Sequence, residues 1–186
     1  MLISFWRSSQ SEIPPPSVFA LMPRILERAG GGESGSITGL YTVLVEGEDH
    51  NEPVADTARS ILDGHIVLDR RLATAGHFPS IDVLESVSRV APAVTTPEQQ
   101  QLARRARRLL AARRDVKELV EIGAYVTGSN PLADEALARW SSLEAFLQQG
   151  MAERSDVTAT WAGLAGALGV VPAVPAVVMP VPVVAG

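Results

Sequence analysis

The 186-residue sequence contains no cysteine and few aromatic residues, which make up 5% of the chain. Without cysteine there can be no disulfide framework, no thiolate metal site and no cysteine nucleophile. The 16 basic residues are outnumbered by 21 acidic ones, so the formal net charge is −5 and the cationic excess of a general nucleic-acid binder is missing. Apolar residues make up 46%, which is enough for a buried core in a chain of this length.

The two ends of the chain lack the usual signals of regular structure. Residues 1–13 have no helix-capping or periodic pattern, no basic n-region and no cleavage site, so we predict an irregular segment that is not a signal peptide. Residues 160–186 contain no charged side chain and are long enough to cross a membrane. Four prolines would interrupt such a helix, so a loose extended tail is favoured, with a frameshifted or low-complexity end as an alternative.

Residues 14–94 mix helical and strand patterns. Apolar residues at helical spacing follow three prolines and predict a helix that ends at the glycines 30–32. Residues 37–45 (ITGLYTVLV) form a nearly unbroken, β-branched apolar run, which is typical of a strand buried on both faces of a parallel sheet. A helix over 54–63, a strand over 65–68 and short buried segments near 81–84 and 87 follow, an order that predicts an α/β layer.

Residues 95–153 have helical patterns almost throughout. Thr96, Pro97 and Gln99 match the start of a helix with a capping box. The residues 127–131 predict a turn, and a last helix follows over 133–149. Together these patterns predict a small helical bundle. The first of these helices has an apolar stripe at spacings of three, four and seven, formed by Leu102, Ala106, Leu109, Val116 and Val120.

Three segments contain residue types that often do chemistry. The glycine-rich segment 30–36 (GGGESGS) is not followed by a lysine, so it does not match a P-loop and is interpreted as a helix-to-strand turn. His65 and His77 have no partnered carboxylate motif, and we predict structural roles for both and no metal site. An acidic loop matches no calcium motif and is either solvated or a contact surface for a basic partner; its carboxylates belong to Glu46, Glu48, Asp49 and Glu52.

Arginine is concentrated in two places. Seven basic residues lie between 104 and 117, and we interpret them as a solvated helix face because nucleic-acid binding would need interleaved aromatics or a groove-reading fold. Arg89 follows two serines in the string SVSR. Such an arginine is usually a surface residue, but its guanidinium would suit a nearby phosphate, and the sequence pattern leaves both roles open.

Three longer strings are more specific than any of these motifs. They are PPSVFALMPRILERAG, GSITGLYTVLVEGEDHNEPVADTARSILDGHIVLDRRLATAGHFPSIDVLESVSRV and IGAYVTGSNP. They resemble the flagellar and type III secretion export ATPases, which are relatives of the catalytic subunit of rotary F-type ATP synthases. The resemblance covers about residues 15–150. GAYVTGSNP favours the flagellar branch, and the injectisome branch stays open.

The resemblance implies an α/β fold and a division of the chain. Residues 14–94 would be the C-terminal part of a RecA-like parallel-sheet nucleotide-binding domain, and 95–153 a small α-helical domain. Residues 1–13 do not match, and 154–186 would be the extended tail. The family's Walker A loop, catalytic glutamate and Walker B strand would lie upstream of residue 15. The family also implies a hexameric ring that uses ATP with magnesium, in the cytoplasm and peripheral to the inner membrane.

The resemblance also assigns roles to individual residues. Arg89 matches the arginine finger that acts on ATP held by the neighbouring subunit of the ring. Phe78, in GHFPSID, stands where the family has a tyrosine that packs on adenine. The acidic loop resembles the loop that faces the central stalk, and the segment near 123–131 resembles the part that meets the stalk and the export substrates or their chaperones.

The implied function is the coupling of ATP hydrolysis to protein export. Because phosphoryl transfer needs a phosphate cradle and a magnesium site, this chain alone is expected neither to hydrolyse ATP nor to bind it tightly. The alternative is a non-catalytic interaction module that docks on a stalk protein or on an intact export ATPase.

Overall fold

A computed structural model describes residues 2–4, 16–44 and 53–170 of the chain. The described residues form helices and three two-stranded sheets, so the fold is α/β as predicted. They group into two compact units, which divide between His65 and Ile66.

The first unit contains two helices and four short strands. Buried Met22 and Leu26 on its first helix, and Ala55 and Ala58 on its second, form its apolar interior. The first strand pairs in parallel with the fourth, and the second and third strands form an antiparallel hairpin. In chain order the elements are β1 (Leu2–Ser4), α1 (Pro16–Leu26), β2 (Gly30–Gly32), β3 (Gly35–Ile37), β4 (Leu40–Thr42) and α2 (Pro53–Ile61).

The apolar run 37–45 is not the continuous buried strand that its composition predicts. Gly39 separates β3 from β4, and a β-carbon there would come within 2.6 Å of the Tyr41 ring, whose hydroxyl donates to the Leu26 carbonyl oxygen at 3.3 Å. Ile37 and Leu40 are exposed, because within the described residues β4 pairs with β1 alone. The prediction of burial on both faces is therefore wrong for this chain.

Two further expectations for the first unit are corrected. The segment 1–13 was expected to be irregular, but Leu2–Ser4 is a strand, held by its parallel pairing with β4. The first helix ends at Leu26, so the glycines 30–32 form β2 and do not end the helix.

The second unit contains the remaining strands and helices. Its two strands pair with each other: the predicted strand at 65–68 lies in β5, and the segments near 81–84 and 87 join into one strand, β6. Val87 is 47% exposed, so the expected burial of that segment is wrong. The elements are β5 (Gly64–Leu68), α3 (Arg70–Thr74), β6 (Ile81–Ser88), α4 (Ala91–Val94), α5 (Pro97–Glu121), α6 (Pro131–Leu147) and α7 (Val157–Ala167).

The start of α5 has the predicted capping box. The Thr96 hydroxyl accepts from the Gln99 backbone N–H at 3.3 Å, and the Gln99 side chain accepts from the Thr96 N–H at 2.9 Å. Two of the unpaired N–H groups at a helix start are thereby satisfied. Glu98 benefits from the same geometry, since its own backbone N–H and the Thr96 hydroxyl lower the pKa of its carboxyl.

Helices α5, α6 and α7 pack around one apolar core, which confirms the predicted helical bundle. Leu109, Leu143 and Leu168 are fully buried there, one from each helix or its C-terminal cap. Alanines 106, 112, 136 and 167 line the same core and let the helix backbones approach closely. Val120, assigned to the apolar stripe of α5, is 37% exposed and does not belong to it.

The segment after residue 154 is not a loose extended tail in the described part of the chain. The Asp156 carboxylate accepts from the Ala159 N–H at 2.7 Å and caps α7, and Leu164, Ala167 and Leu168 then join the core. Burial of these side chains stabilises a helix that the lack of charge concealed. Residues 171–186 lie outside the described residues. None of the described helices combines the length and apolar composition that crossing a bilayer requires.

Candidate functional site

Arg89 lies in a tight connection between β6 and the helical bundle. Ser88 accepts a hydrogen bond from the Ala91 N–H at 3.1 Å, and the Thr95 hydroxyl donates to the Ala91 carbonyl oxygen at 2.5 Å. The first bond closes the turn and the second holds the segment after it, and Arg89 is an exposed residue. The arginine therefore lies at a well-braced turn at the end of a strand.

A row of polar side chains on α5 holds this connection. The Arg107 guanidinium donates to three carbonyl oxygens of β6, at 2.7 Å to Val83, 2.8 Å to Leu84 and 3.1 Å to Ser86. Gln100 and Arg114 lie seven residues before and after Arg107, almost two helical turns apart, so the three share one face of α5. We call Gln100, Arg107 and Arg114 the polar seam.

The outer members of the polar seam reach both sides of Arg89 along the chain. The Gln100 amide donates to the carbonyl oxygens of Pro92 at 3.0 Å and Thr95 at 3.2 Å. Arg114 forms an ion pair with Glu85 of β6, with 2.9 Å between nitrogen and oxygen. The seam was not predicted from the sequence, where its one signal is the seven-residue spacing of Gln100, Arg107 and Arg114 on a predicted helix.

The interpretation of the basic residues on α5 as a solvated face is wrong for several of them. Besides the seam arginines, Arg105 forms an ion pair with Glu135 of α6. The Arg113 guanidinium lies 4.8 Å from the centre of the Trp140 ring, within range of a cation–π interaction. These arginines join α5 to its neighbours because the long side chains reach past the apolar core to partners on other elements.

Phe78 lies in the loop that precedes β6. In the turn after α3, Gly76 has a φ of 78° and so adopts the left-handed backbone conformation. The Phe78–Pro79 peptide bond that follows is cis. The Phe78 carbonyl oxygen accepts from the Gln149 N–H at 2.9 Å, which ties the loop to the end of α6. The ring is 56% exposed, so its face is open to contact from outside the chain.

Phe78 and Arg89 are not brought together by the fold. Phe78 precedes β6 and Arg89 follows it, and a strand of eight residues extends over roughly 26 Å at about 3.3 Å per residue. Within the strand, the Asp82 carboxylate accepts from the N–H groups of Leu84 at 2.8 Å and Glu85 at 3.0 Å. The two residues therefore face different regions at the two ends of one strand.

The other candidate residues fall elsewhere. The acidic-loop positions, Glu46, Glu48, Asp49 and Glu52, lie outside the described residues. The segment 30–36 forms the β2–β3 hairpin beside an open groove of about 430 Å³ in the first unit, so it connects helix to strand as expected, although as a hairpin. In the described ranges, no group of three or more acidic, histidine or cysteine side chains is arranged to hold a metal ion.

The loop over 123–131 is organised by one carboxylate. Asp134 accepts from the Tyr125 hydroxyl at 2.9 Å through one oxygen and from the Gly128 N–H at 2.9 Å through the other. Asn130 caps α6 by accepting from the backbone N–H groups of Leu132 and Ala133. Partial desolvation and the bond to Asp134 raise the pKa of the Tyr125 phenol.

Two family descriptions match this chain, one on each side of the turn that holds Arg89. Residues 6–88 match the nucleotide-binding domain of the ATP synthase alpha/beta family, and residues 95–166 match the C-terminal domain of the type III secretion ATPase EscN. The first match begins at residue 6, before the first of the three resembling strings. The second match continues to residue 166, through most of α7.

Curated relatives come from both secretion branches. The flagellum-specific ATP synthase of Salmonella typhimurium is 53% identical over 144 residues, 76% of this chain and 32% of its own length. The SPI-2 type 3 secretion system ATPase of the same organism is 54% identical over 139 residues, 75% of this chain and 32% of its own length. The chain spans about a third of the length of these relatives.

Solved structures agree with the sequence matches. The assembled ATPase EscN of the enteropathogenic E. coli type III secretion system is 44% identical, with a TM-score of 0.79, over 83% of this chain and 37% of EscN. The structure of EscN with its central stalk EscO gives 42% identity and a TM-score of 0.74, over 83% of this chain and 36% of that one.

Fold and matches together define a protein of the ATP-synthase nucleotide-binding class, built from the C-terminal part of a RecA-like domain and a helical C-terminal domain. Within that class, the chain belongs to the flagellar and type III secretion export ATPase family.

Proposed function

We propose that this chain supplies the arginine finger, part of the adenine pocket and the helical C-terminal domain of an export ATPase. Its role is to complete a nucleotide site in a ring of subunits, so that ATP hydrolysis is coupled to the export of flagellar or secreted proteins. The observation that carries the proposal is the exposed Arg89 at a braced turn, at the junction between the two family matches.

Arg89 would act on a nucleotide held by a neighbouring subunit. ATP with magnesium would be held by the upstream part of the family's nucleotide-binding domain. The planar guanidinium carries a permanent charge and can donate two parallel hydrogen bonds to oxygens of the transferring phosphoryl group. It would stabilise the charge that spreads over those oxygens in the transition state, an effect worth ~10³–10⁵ in rate.

Phe78 would pack on the adenine of a different nucleotide, the one bound by the same subunit. Its exposed ring keeps the stacking face that the family's tyrosine offers. Phe78 precedes β6 and Arg89 follows it, and this separation along the strand supports contacts to two different nucleotides. Each subunit would thus contribute to two sites in the ring.

The helical domain would contact partners outside the ring. The stalk-bound EscN structure supports a central stalk as one partner, and the acidic loop (Glu46, Glu48, Asp49 and Glu52) would face it. The loop organised by Asp134 would meet the stalk and the export substrates or their chaperones. We set the domain boundary between residues 94 and 95, and the two family matches lie on either side of it. The protein would work in the cytoplasm, peripheral to the inner membrane.

We expect the 186-residue chain by itself to show no ATP hydrolysis. Its sequence has no P-loop lysine to hold phosphate, so the finger has no bound nucleotide to act on. Phosphate release by the purified chain should equal that of buffer, measured with and without magnesium. Turnover above buffer that disappears in an Arg89→Ala variant would contradict this expectation.

An active context for the chain is a chimaera in which it replaces the matched third of the Salmonella flagellum-specific ATP synthase. We expect Arg89→Ala to lower kcat of this chimaera by ~10³-fold or more, with little change in KM. Arg108→Ala is the matched control, since Arg108 is an exposed arginine of α5. Equal kcat values for the Arg89 and Arg108 variants would overturn the finger assignment.

A second candidate is a non-catalytic module that docks on a stalk protein or on intact export ATPase, and the stalk-bound EscN structure supports the stalk contact of this candidate. Such a module would co-purify with the intact enzyme while changing its rate little. If the chain is such a module, Arg89→Ala should not change the ATPase rate of the complex between the chain and the intact enzyme. If the chain instead donates an arginine finger to that enzyme, Arg89→Ala should abolish any increase in rate that the chain causes.

A further inference from the structure

The polar seam connects the helical bundle to both sides of the Arg89 turn. Arg107 bonds to three carbonyl oxygens of β6, and Gln100 bonds to two carbonyl oxygens after the turn. Arg89 lies between these two sets of anchors along the chain. The position of its backbone is therefore set by one face of α5 as well as by the strand.

The shape of the arginine side chain suits the central contact of the seam. One guanidinium nitrogen reaches Val83 and Ser86 and the other reaches Leu84, whereas a lysine ammonium would have to reach all three from a single nitrogen. The three carbonyl oxygens lie close in sequence to Asp82, whose carboxylate bonds to the Leu84 and Glu85 N–H groups, and backbone carbonyl oxygens removed from water need donors. Arg107 supplies them from a helix whose start is capped.

We propose that Arg107 is a positioning residue for Arg89. Through its contacts with β6, Arg107 holds the backbone that carries Arg89 in the position that the neighbour's phosphoryl group requires. This inference rests on the proposed function of Arg89. Since a misplacement of about 1 Å can lower a rate on the order of 10²-fold, losing Arg107 should slow catalysis without weakening nucleotide binding.

A double-mutant cycle in the chimaera tests the proposal. Arg107→Met and Arg107→Lys should lower kcat by about 10- to 100-fold, with KM changed by less than about twofold. Arg108→Met removes the same charge from the next, exposed position of α5 and should leave kcat unchanged. In an Arg89→Ala background, neither Arg107 variant should lower kcat further, because the residue acts through a finger that is no longer there.

The outcomes separate the inference from its premise. Suppose that Arg89→Ala lowers kcat and that an Arg107 substitution lowers kcat by the same further factor in the Arg89→Ala background. Arg107 then acts independently of Arg89, and the inference is overturned. If Arg89→Ala leaves kcat unchanged, the proposed function fails and the inference fails with it. Should Arg107→Met not fold, Arg107→Lys keeps the charge and decides the cycle.

Hydrogen exchange on the 186-residue chain gives a second readout that does not depend on activity. Backbone amides over 85–95 should exchange faster in Arg107→Lys than in the parent chain, while amides in α6 keep their rates. Arg108→Met should change neither region. Equal exchange over 85–95 in all three proteins would overturn the positioning role.

Discussion

At the scale of single residues, Tyr125 and Asp134 show how one side chain can organise a loop. Asp134 receives the Tyr125 hydroxyl and the Gly128 N–H on its two oxygens, so the loop keeps one shape between α5 and α6. The sequence predicted a turn here from its residue types. It could not predict this carboxylate as the acceptor, because Asp134 lies inside the next helix and pairs with residues across the turn.

The raised pKa of the Tyr125 phenol gives this contact a pH dependence. A raised pKa means that the fold favours the protonated phenol, so the stabilisation is fully present below the usual value of about 10 and is lost as pH rises through the folded-state pKa. We expect Tyr125→Phe to be less stable than the parent chain near neutral pH, with the difference shrinking above about pH 10.

Urea denaturation of both proteins at several pH values measures this difference directly. Tyr41→Phe is the control, since the Tyr41 hydroxyl bonds to a backbone carbonyl and not to a carboxylate. A stability difference for Tyr125→Phe that stays constant through the alkaline range would contradict the account.

At the scale of elements, the predictions agree with the structure better for the helices than for the strands. Capping residues and apolar spacing predicted α5 and α6 because these signals are local. The strands failed where burial depends on partners far along the chain, as at Ile37 and Leu40. Helix α7 was not predicted, for a different reason. Its residues are apolar or small on every side, so no polar face marks it as an amphipathic helix.

The capping box is one element that can be tested by a single substitution. Thr96→Ala removes the hydroxyl that receives the Gln99 N–H and should lower the free energy of unfolding by about 1 kcal/mol. Thr96→Ser keeps the hydroxyl and should behave like the parent chain. Equal stability of the alanine and serine variants in urea denaturation would show that the box contributes nothing.

The packing of α7 against α5 and α6 can also be tested by a single substitution. Leu168 is fully buried, so Leu168→Ala should destabilise the chain by about 2–5 kcal/mol through lost burial and a cavity. Val157, at the first position of α7, is 64% exposed, and Val157→Ala should stay within about 0.5 kcal/mol of the parent chain. Thermal denaturation compares the two, and a similar small effect for both would mean that α7 does not pack in the core.

At the scale of the whole molecule, the chain exposes apolar side chains along its strands. Leu40 of β4 and Ile66 and Leu68 of β5 are each 66% exposed. The chain spans about a third of its relatives' length, and we propose that the remaining part of the nucleotide-binding domain covers these residues. The apolar composition of the run 37–45 predicts burial for Leu40, and under this proposal the covering surface would belong to the remaining part of the domain.

This exposure should be measurable. The isolated chain is expected to bind a hydrophobic dye strongly, because exposed apolar patches are its binding sites. The chimaera should bind less dye per subunit, since its upstream part would cover β4 and β5. A Leu40→Lys, Ile66→Lys double variant of the isolated chain should lose much of the signal, and equal dye binding by the chain, the variant and the chimaera would contradict the covering role.

The polar seam is the part of the candidate site that the sequence did not predict. Arg89 and Phe78 were assigned by resemblance, and the structure places them at two ends of one strand. Arg107 was grouped with a solvated face, because charge in a sequence does not reveal whether a backbone carbonyl lies opposite. The three carbonyl oxygens that it contacts, those of Val83, Leu84 and Ser86, come within its reach only in the folded chain.

Whether Arg89 acts across a subunit boundary can be measured in mixed rings of the chimaera. One population carries Arg89→Ala, and the other keeps Arg89 but has its P-loop lysine replaced, so that each is inactive alone. When the two are mixed and reassembled, our account predicts ATP hydrolysis well above the sum of the separate rates, because Arg89 of one subunit completes the intact phosphate cradle of the next. A mixture that hydrolyses ATP no faster than that sum, although mixed rings have formed, would contradict the account.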